Sequence, residues 1–207
     1  EDAKTEFSGM VIGVARSINH VTMGLQLHYL DGKLNSDRYR AETDAYGIIA
    51  GVRLNDLMAF NGLNPWLDFK AGYSYHNADQ KRTGLESAEA FGDMTLTKYK
   101  SKPNSNLVRL AFMLGNDFKV NEQLTLTSQI GLDYTYIRQK GYSENGPFGL
   151  KVNSADYNSL RPQIGLGANF AFNDKLDVSA RAVYRYETLD NHFDLDYRLV
   201  NIPGITA

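Results

Sequence analysis

The chain has 207 residues and a formal net charge of −2, with 43% hydrophobic and 22% charged residues. This is enough for one domain with a substantial apolar surface, and the composition excludes a disordered chain. Because acidic and basic residues nearly balance, no nucleic-acid partner is expected. The absence of cysteine excludes disulfide scaffolds, thiol catalysis and cysteine-ligated metal sites.

Apolar and polar residues alternate with a period of two along most of the chain, which predicts strands. In the second such segment Met23, Leu25 and Leu27 are separated by polar or glycine positions. In chain order, nine segments show the pattern: residues 10–14, 21–29, 48–54, 67–75, 108–114, 124–136, 160–172, 176–186 and 193–199. The longest uninterrupted apolar runs are far shorter than the roughly 20 residues of a membrane helix, so no transmembrane helix is predicted.

Three features favour a transmembrane barrel over the alternative, a soluble sandwich or lipocalin-like barrel. The strands are about 9–11 residues long, which suits a tilted strand crossing a bilayer. Short and long connections alternate, and the long ones span residues 31–43, 77–105 and 138–158. Barrels of the outer membrane have short periplasmic turns and long external loops.

The third feature is the placement of aromatic residues at the predicted strand ends, as in the two interfacial girdles of membrane barrels. The apolar face led by Leu25, Phe69 and Leu132 is then expected to contact lipid. The predicted membrane-interface aromatics are Tyr29, Trp66, Tyr73, Tyr75, Phe118, Tyr134, Tyr136, Phe172, Tyr184 and Tyr186.

The opposite face of the strands combines many glycines with charges of both signs, which would be costly in a packed soluble core. In a hydrated pore such charges are solvated or paired. We therefore predict an all-β, antiparallel up-and-down transmembrane β-barrel with a polar lumen. The predicted pore-lining residues are Arg53, Asp68, Lys70, Arg109, Asp133, Arg181, Arg185 and Glu187.

Several segments resemble the strands of autotransporter translocator domains, and the likeness covers most of the chain. The early ones begin Ser8-Gly-Met-Val-Ile, Met23-Gly-Leu-Gln-Leu, Tyr46-Gly-Ile-Ile-Ala and Trp66-Leu-Asp-Phe-Lys. Later ones are Ser159-Leu-Arg-Pro-Gln-Ile and Ala180-Arg-Ala-Val-Tyr.

This resemblance implies a twelve-stranded barrel of a Gram-negative outer membrane, with long loops extracellular. It also implies type V secretion, in which the pore holds a linker helix and an upstream passenger reaches the cell surface. The expected partners are outer-membrane lipid, the chain's own N-terminal passenger and linker helix, and the barrel assembly machinery. We expect residues 1–207 to be a single barrel domain that lacks one strand at the start and two at the end.

Enzyme signatures are poor, so neither catalysis nor a cofactor nor a metal is expected. No nucleophile elbow, zinc-protease motif or phosphate-binding glycine loop is present. Asp190, His192 and Asp194 could form a catalytic rim on the external side, as in outer-membrane enzymes of barrel form. A narrower alternative is that the luminal carboxylates Asp68, Asp133 or Glu187 cleave a linker in the pore. The favoured interpretation is that they pair with luminal cations. A self-contained porin-like channel or rim enzyme is therefore kept as the alternative function.

Overall fold

The fold is all-β within the residues that the structure, a computed structural model, describes: 3–57, 63–85, 96–146, 148–173, 176–189 and 196–199. No helix in these ranges is long and apolar enough to cross a membrane. The strands are β1 Lys4–Ile18, β2 Val21–Asn35, β3 Tyr39–Leu54, β4 Leu63–Leu85, β5 Leu96–Ser101, β6 Asn104–Lys119, β7 Leu124–Gln139, β8 Tyr142–Ser143, β9 Leu150–Val152, β10 Ala155–Asn173, β11 Leu176–Arg185 and β12 Tyr197–Leu199.

The main sheet is antiparallel and is curled into a half-barrel, in the order β1-β2-β3-β4-β6-β7-β10-β11, with β5 added to the far end of β4. The predicted antiparallel up-and-down barrel class is therefore confirmed. The predicted ninth strand, 193–199, is different, because its described part is β12, which pairs with β9 in a separate three-stranded sheet. Residues 193–195 lie outside the described ranges.

The strands are longer than the alternation predicted, because polar residues continue the pairing past the apolar segments. β4 has 23 residues, and β2 and β3 remain paired up to Asn35 and Arg40. The predicted long loop 31–43 is therefore mostly a protruding hairpin. Among the described residues, the remaining long connection between β7 and β10 contains β8 and β9.

The opposite end of the sheet has tighter turns, which we call the short-turn end. Asn19, in the turn between β1 and β2, has a φ of 53°, and asparagine tolerates this left-handed conformation better than most residues. The β6–β7 turn is organised by Asn121, whose side-chain oxygen accepts hydrogen bonds from the backbone of Gln123 and Leu124 at 2.9 and 2.7 Å.

The register gives the sheet one apolar and one polar face. Leu67, Leu114, Ile130 and Ile164 are neighbours across four strands, and Leu114 and Ile130 are 42% and 57% exposed. Side chains on the other face converge on cavities or are buried, so the polar face is the concave one. The sheet is thus turned inside out relative to a soluble barrel, which buries its apolar face.

Candidate functional site: the concave polar face

The concave face surrounds a cavity of about 300 Å³ whose walls come from β3, β4, β6, β7, β10 and β11. Lys70, Arg109, Arg181 and Arg185 point into it, together with a single carboxylate, Asp133. Successive side chains of a strand point to opposite faces of the sheet. These residues occupy the alternate positions that point to the concave face in each strand. Five of the eight predicted pore-lining residues therefore meet around one cavity.

Asp133 is the most deeply placed of these groups, with 1% exposure. Its carboxylate accepts hydrogen bonds from Nε and Nη2 of Arg109, the former at 3.0 Å to Oδ2. Nη2 of Arg161, on the other side, lies 3.6 Å from Oδ1. Two arginines from neighbouring strands thus compensate one buried carboxylate, which satisfies the requirement that a buried charge be paired.

The other cations of the cavity are only partly neutralised. Nζ of Lys70 lies 3.3 Å from Asp68, and Nε of Arg185 donates to the side-chain oxygen of Gln163 at 3.0 Å. Within the described residues, no carboxylate lies within ion-pair distance of Arg181 or Arg185. Near the centre of the concave face, positive charge therefore exceeds negative charge.

Arg53 organises the short-turn end of this face. Its guanidinium lies 4.0 Å from the ring centre of Trp66 and 3.3 Å from Asp117. Gly115 makes room for the indole, since a Cβ atom at this glycine would lie only 2.1 Å from Cζ2 of Trp66. Asp117 also accepts a hydrogen bond from Thr127 at 2.7 Å.

Trp66 is therefore not a membrane-interface aromatic, and that prediction is wrong. It is 2% exposed and shares the concave face with Asp68, two residues further along β4. Trp66 occupies one of the alternate positions of β4 that point to the concave face, as the polar residues do. The cation–π contact with Arg53 stabilises the ring among these polar groups.

The tyrosines of the convex face share one orientation. The hydroxyls of Tyr29, Tyr73, Tyr134 and Tyr136 each donate to an Asp or Asn side chain at 2.7–3.0 Å. In every case the acceptor lies on the neighbouring strand, nearer the end with the long connections, as the register shows. Each ring thus has its apolar part toward the Leu and Ile band and its polar tip away from it.

The remaining predicted aromatics are also at least partly exposed, in contrast to Trp66. Tyr46, which is not among the predicted interface aromatics, is 54% exposed and contacts Tyr29 with ring centres 5.1 Å apart. Phe172 contacts Phe170 edge to face at 4.8 Å, at the short-turn end.

At the end with the long connections, Arg82 of β4 forms an ion pair with Glu144. Nη2 and Nε of Arg82 donate to the carboxylate at 2.6 and 3.0 Å, and this hydrogen bonding raises the pKa of Arg82. The Arg82 guanidinium also lies 4.9 Å from the ring centre of Tyr99, which is 1% exposed. These contacts hold the β7–β10 connection against the protruding β4–β5 hairpin.

Glu187 follows β11 and accepts a hydrogen bond from the Ser159 hydroxyl and another from the backbone of Leu160 at 3.0 Å. Hydrogen bonding from Ser159, and to a smaller extent from the backbone N–H groups of Leu160 and Leu189, lowers the pKa of this carboxyl. Asp68 is paired with Lys70, and Asp133 is paired with Arg109 and Arg161. Each of the three carboxylates thus has its own hydrogen-bond or ion-pair partner.

Two of the histidines in the described part of the chain have a polar side-chain partner. Nε2 of His28 lies 2.7 Å from the Ser74 hydroxyl, and His20 pairs with Asp56 in exposed turns. Among the residues described, no three His, Cys, Asp or Glu side chains are close enough to hold a metal. The candidate rim residues Asp190, His192 and Asp194 lie outside the described ranges.

Comparison with known proteins agrees with this geometry. The profile of the family described as "Autotransporter beta-domain" matches residues 1–206. The chain belongs to the autotransporter β-domain family. This places it among bacterial outer-membrane translocator barrels, and the predicted resemblance is confirmed.

One solved structure illustrates the shared fold. It is the translocator domain of autotransporter NalP from Neisseria meningitidis, which has 19% sequence identity to this autotransporter β-domain and a TM-score of 0.74. The match covers 98% of this chain and 71% of the NalP chain. No curated protein sequence matches at a significant level.

Proposed function

We propose that this autotransporter β-domain exports an N-terminal passenger to the cell surface through its polar pore and then anchors it in the outer membrane. The observation that carries the proposal is the charged, cavity-bearing concave face behind an exposed apolar wall. A chain in transit needs a hydrated path, and the concave side chains supply charge and hydrogen-bonding groups along it.

In this proposal, the pore wall consists of the predicted luminal set, now extended by Arg161 and Asp117. Both residues point to the same face of the sheet as this set, and each forms an ion pair with one of its members. Asp133 and Asp68 brace this wall through ion pairs and do not act as catalysts.

The dimensions of the convex face support insertion in a bilayer. Phe118 lies ten residues after Val108, and Val108 pairs with two tyrosines, Tyr73 and Tyr136. Ten residues extend about 34 Å along a strand, which at a tilt of about 40° gives a height of about 26 Å. This agrees with the apolar band of about 25 Å in outer-membrane barrels.

The two edges of the main sheet indicate how the barrel is completed. The outer edges of β1 and β11 have no partner strand among the described residues, and unpaired backbone groups in lipid cost several kcal/mol each, as an order of magnitude. We propose that further strands cover both edges, next to β1 and next to β11, and complete the barrel. The outer-membrane assembly machinery would insert the completed barrel.

Ion conductance tests the pore directly. A complete barrel containing these strands, purified without its passenger, should conduct ions across a planar bilayer. Restoring the linker helix should lower the single-channel conductance severalfold, because the helix fills a large part of a narrow lumen. Unchanged conductance with the linker present would contradict the translocator proposal and favour a porin-like channel.

Surface labelling tests the orientation, in which we propose that the long connections are extracellular. The chain has no cysteine, so a single introduced thiol reports its own position. Asp37→Cys, in the exposed β2–β3 turn, should react with a membrane-impermeant maleimide on intact cells. The matched variant Glu122→Cys, in the exposed β6–β7 turn, should react only after the outer membrane is permeabilised. The opposite pattern would reverse the orientation.

A further inference from the structure

The convex wall carries a group of cations beyond the tyrosines, toward the long connections. Arg40, Lys81 and Lys100 are directly opposite one another on β3, β4 and β5. Lys98 and Lys102 lie two residues to either side of Lys100, and all five side chains are exposed. We call these five residues the cationic row.

The cationic row is incompletely neutralised. Arg40 pairs with Glu42 at 2.7 Å, and Lys102 pairs with Asp79 at 3.2 Å. In the part of the chain that the structure describes, no carboxylate lies within 4.0 Å of Lys81, Lys98 or Lys100. Like charges directly opposite in a sheet are destabilising, so an external anion would relieve this repulsion.

A cleft of about 550 Å³ lies beside the cationic row, lined by residues 79–81 and 100–102 on one side and by residues 141–145 on the other. Its two carboxylates are already paired, Asp79 with Lys102 and Glu144 with Arg82. Asn145 fixes the position of the second wall. Its side-chain oxygen accepts a hydrogen bond from the backbone N–H of Lys100 at 2.7 Å. Its backbone N–H donates to the carbonyl oxygen of Lys100 at 3.1 Å. The cleft is thus a built feature with polar groups on both sides.

The height of the cationic row above the tyrosines distinguishes between membrane anions. Lys81 lies six residues beyond Tyr75 on β4, which is about 20 Å along the strand and about 15 Å in height at a tilt of about 40°. The headgroup layer of a phospholipid bilayer extends only about 5–8 Å beyond the hydrocarbon on each side. The phosphates of phospholipids therefore lie below the row, whereas a larger headgroup built of sugars extends further from the hydrocarbon and can carry phosphates closer to it.

We propose that the cationic row and its cleft bind the phosphorylated sugars of outer-leaflet glycolipid, that is, lipopolysaccharide. The inference rests on the proposed orientation with the long connections outside. The row is on the convex wall, so it faces the glycolipid layer laterally and not the pore. Lysines suit this role, since each acts as a mobile point charge that follows a phosphate.

The test measures binding of purified lipopolysaccharide to the complete barrel in detergent, with phosphatidylglycerol as the competing anion. The wild-type barrel should bind lipopolysaccharide at least about tenfold more tightly than phosphatidylglycerol. Lys81→Glu together with Lys100→Glu should weaken lipopolysaccharide binding at least about tenfold, since each basic residue near an anionic surface contributes severalfold in affinity. The control is Arg16→Glu with Lys119→Glu, which makes the same change in charge at the short-turn end and should leave binding unchanged.

If the Glu variant fails to fold, as judged by heat-modifiable mobility, Lys81→Gln with Lys100→Gln replaces it and should give a smaller loss in the same direction. Equal affinity for the two lipids, or binding unaffected by changes in the row, would overturn the proposal. Passenger display on the same cells separates this result from the proposed function. The row variants should still export, because none of their substitutions lies in the pore.

Discussion

Replacing Leu114 by Arg should cost about 2–4 kcal/mol of folding free energy in a lipid bilayer. Leu114 is 42% exposed on the convex face and lies between Leu67 and Ile130, near the middle of the apolar band. An arginine there would have to leave water for hydrocarbon. The measurement is reversible folding of the complete barrel into phospholipid vesicles, followed by denaturant titration.

Met113→Arg is the matched control, one residue away at the same depth. Met113 lies on the concave face and lines the charged cavity, where an added cation remains hydrated. Its cost should be clearly smaller than that of Leu114→Arg, because it involves repulsion from the other luminal cations in water but no transfer of charge into hydrocarbon. Similar losses for both variants would contradict the assignment of the convex face to lipid.

Replacing Arg109 by Leu should cost about 1–3 kcal/mol, because it removes the main partner of a buried carboxylate. Asp133 would keep only the longer contact to Arg161, at 3.6 Å, and a weak hydrogen bond from the Thr135 hydroxyl at 3.5 Å. The expected loss is below that for breaking a fully buried pair, since the Arg109 side chain is 48% exposed and water screens the interaction. Arg185→Leu on the same face should cost less than about 1 kcal/mol, as its hydrogen bond goes to a neutral amide.

A double-mutant cycle assigns that loss to the ion pair. Asp133→Asn should cost much less in the Arg109→Leu background than in the wild type, with a coupling of about 1 kcal/mol or more. Additive losses would show that the two side chains stabilise the barrel independently. Both measurements use the same vesicle-folding assay.

The sequence was sufficient to predict the class of fold and which strand positions face which way. Leu25, Phe69 and Leu132 occupy the convex face as expected. Because side chains alternate strictly along a strand, the face to which one residue points determines the face of its neighbours. The signal is strong here because one face is almost entirely aliphatic and aromatic. That Asp133 and Arg109 share a face was predictable, but their pairing depends on the register between β6 and β7, which no local pattern specifies.

Trp66 shows where residue type misled the prediction. Tryptophan near a strand end is typical of an interfacial girdle, and this preference was given more weight than parity. Leu67 and Phe69 face outward, so residue 66 has to face inward. The cavity that accepts the indole exists only because Gly115, on the adjacent strand, has no side chain.

The protruding structure was missed for a different reason. Beyond the membrane both faces of a hairpin contact water, so the alternation that identifies strands disappears, as between Asp31 and Thr43. The far end of the β4–β5 hairpin is likewise polar, and β8 and β9 have only two and three residues, too few to show an alternation. Their placement depends on tertiary contacts such as that between Arg82 and Glu144, which are distant in sequence.

The order of the strands in the main sheet also determines how the chain can fold. Apart from the long β4–β6 and β7–β10 connections, each long strand pairs with one that is close to it along the chain, so each of these hairpins closes only a short loop at a small entropic cost. Growth by successive hairpins is rapid because its contacts are local. Joining the first and last strands of the proposed closed barrel is different, since it brings together the two ends of the domain. Barrel closure is therefore the step with the largest loss of chain entropy.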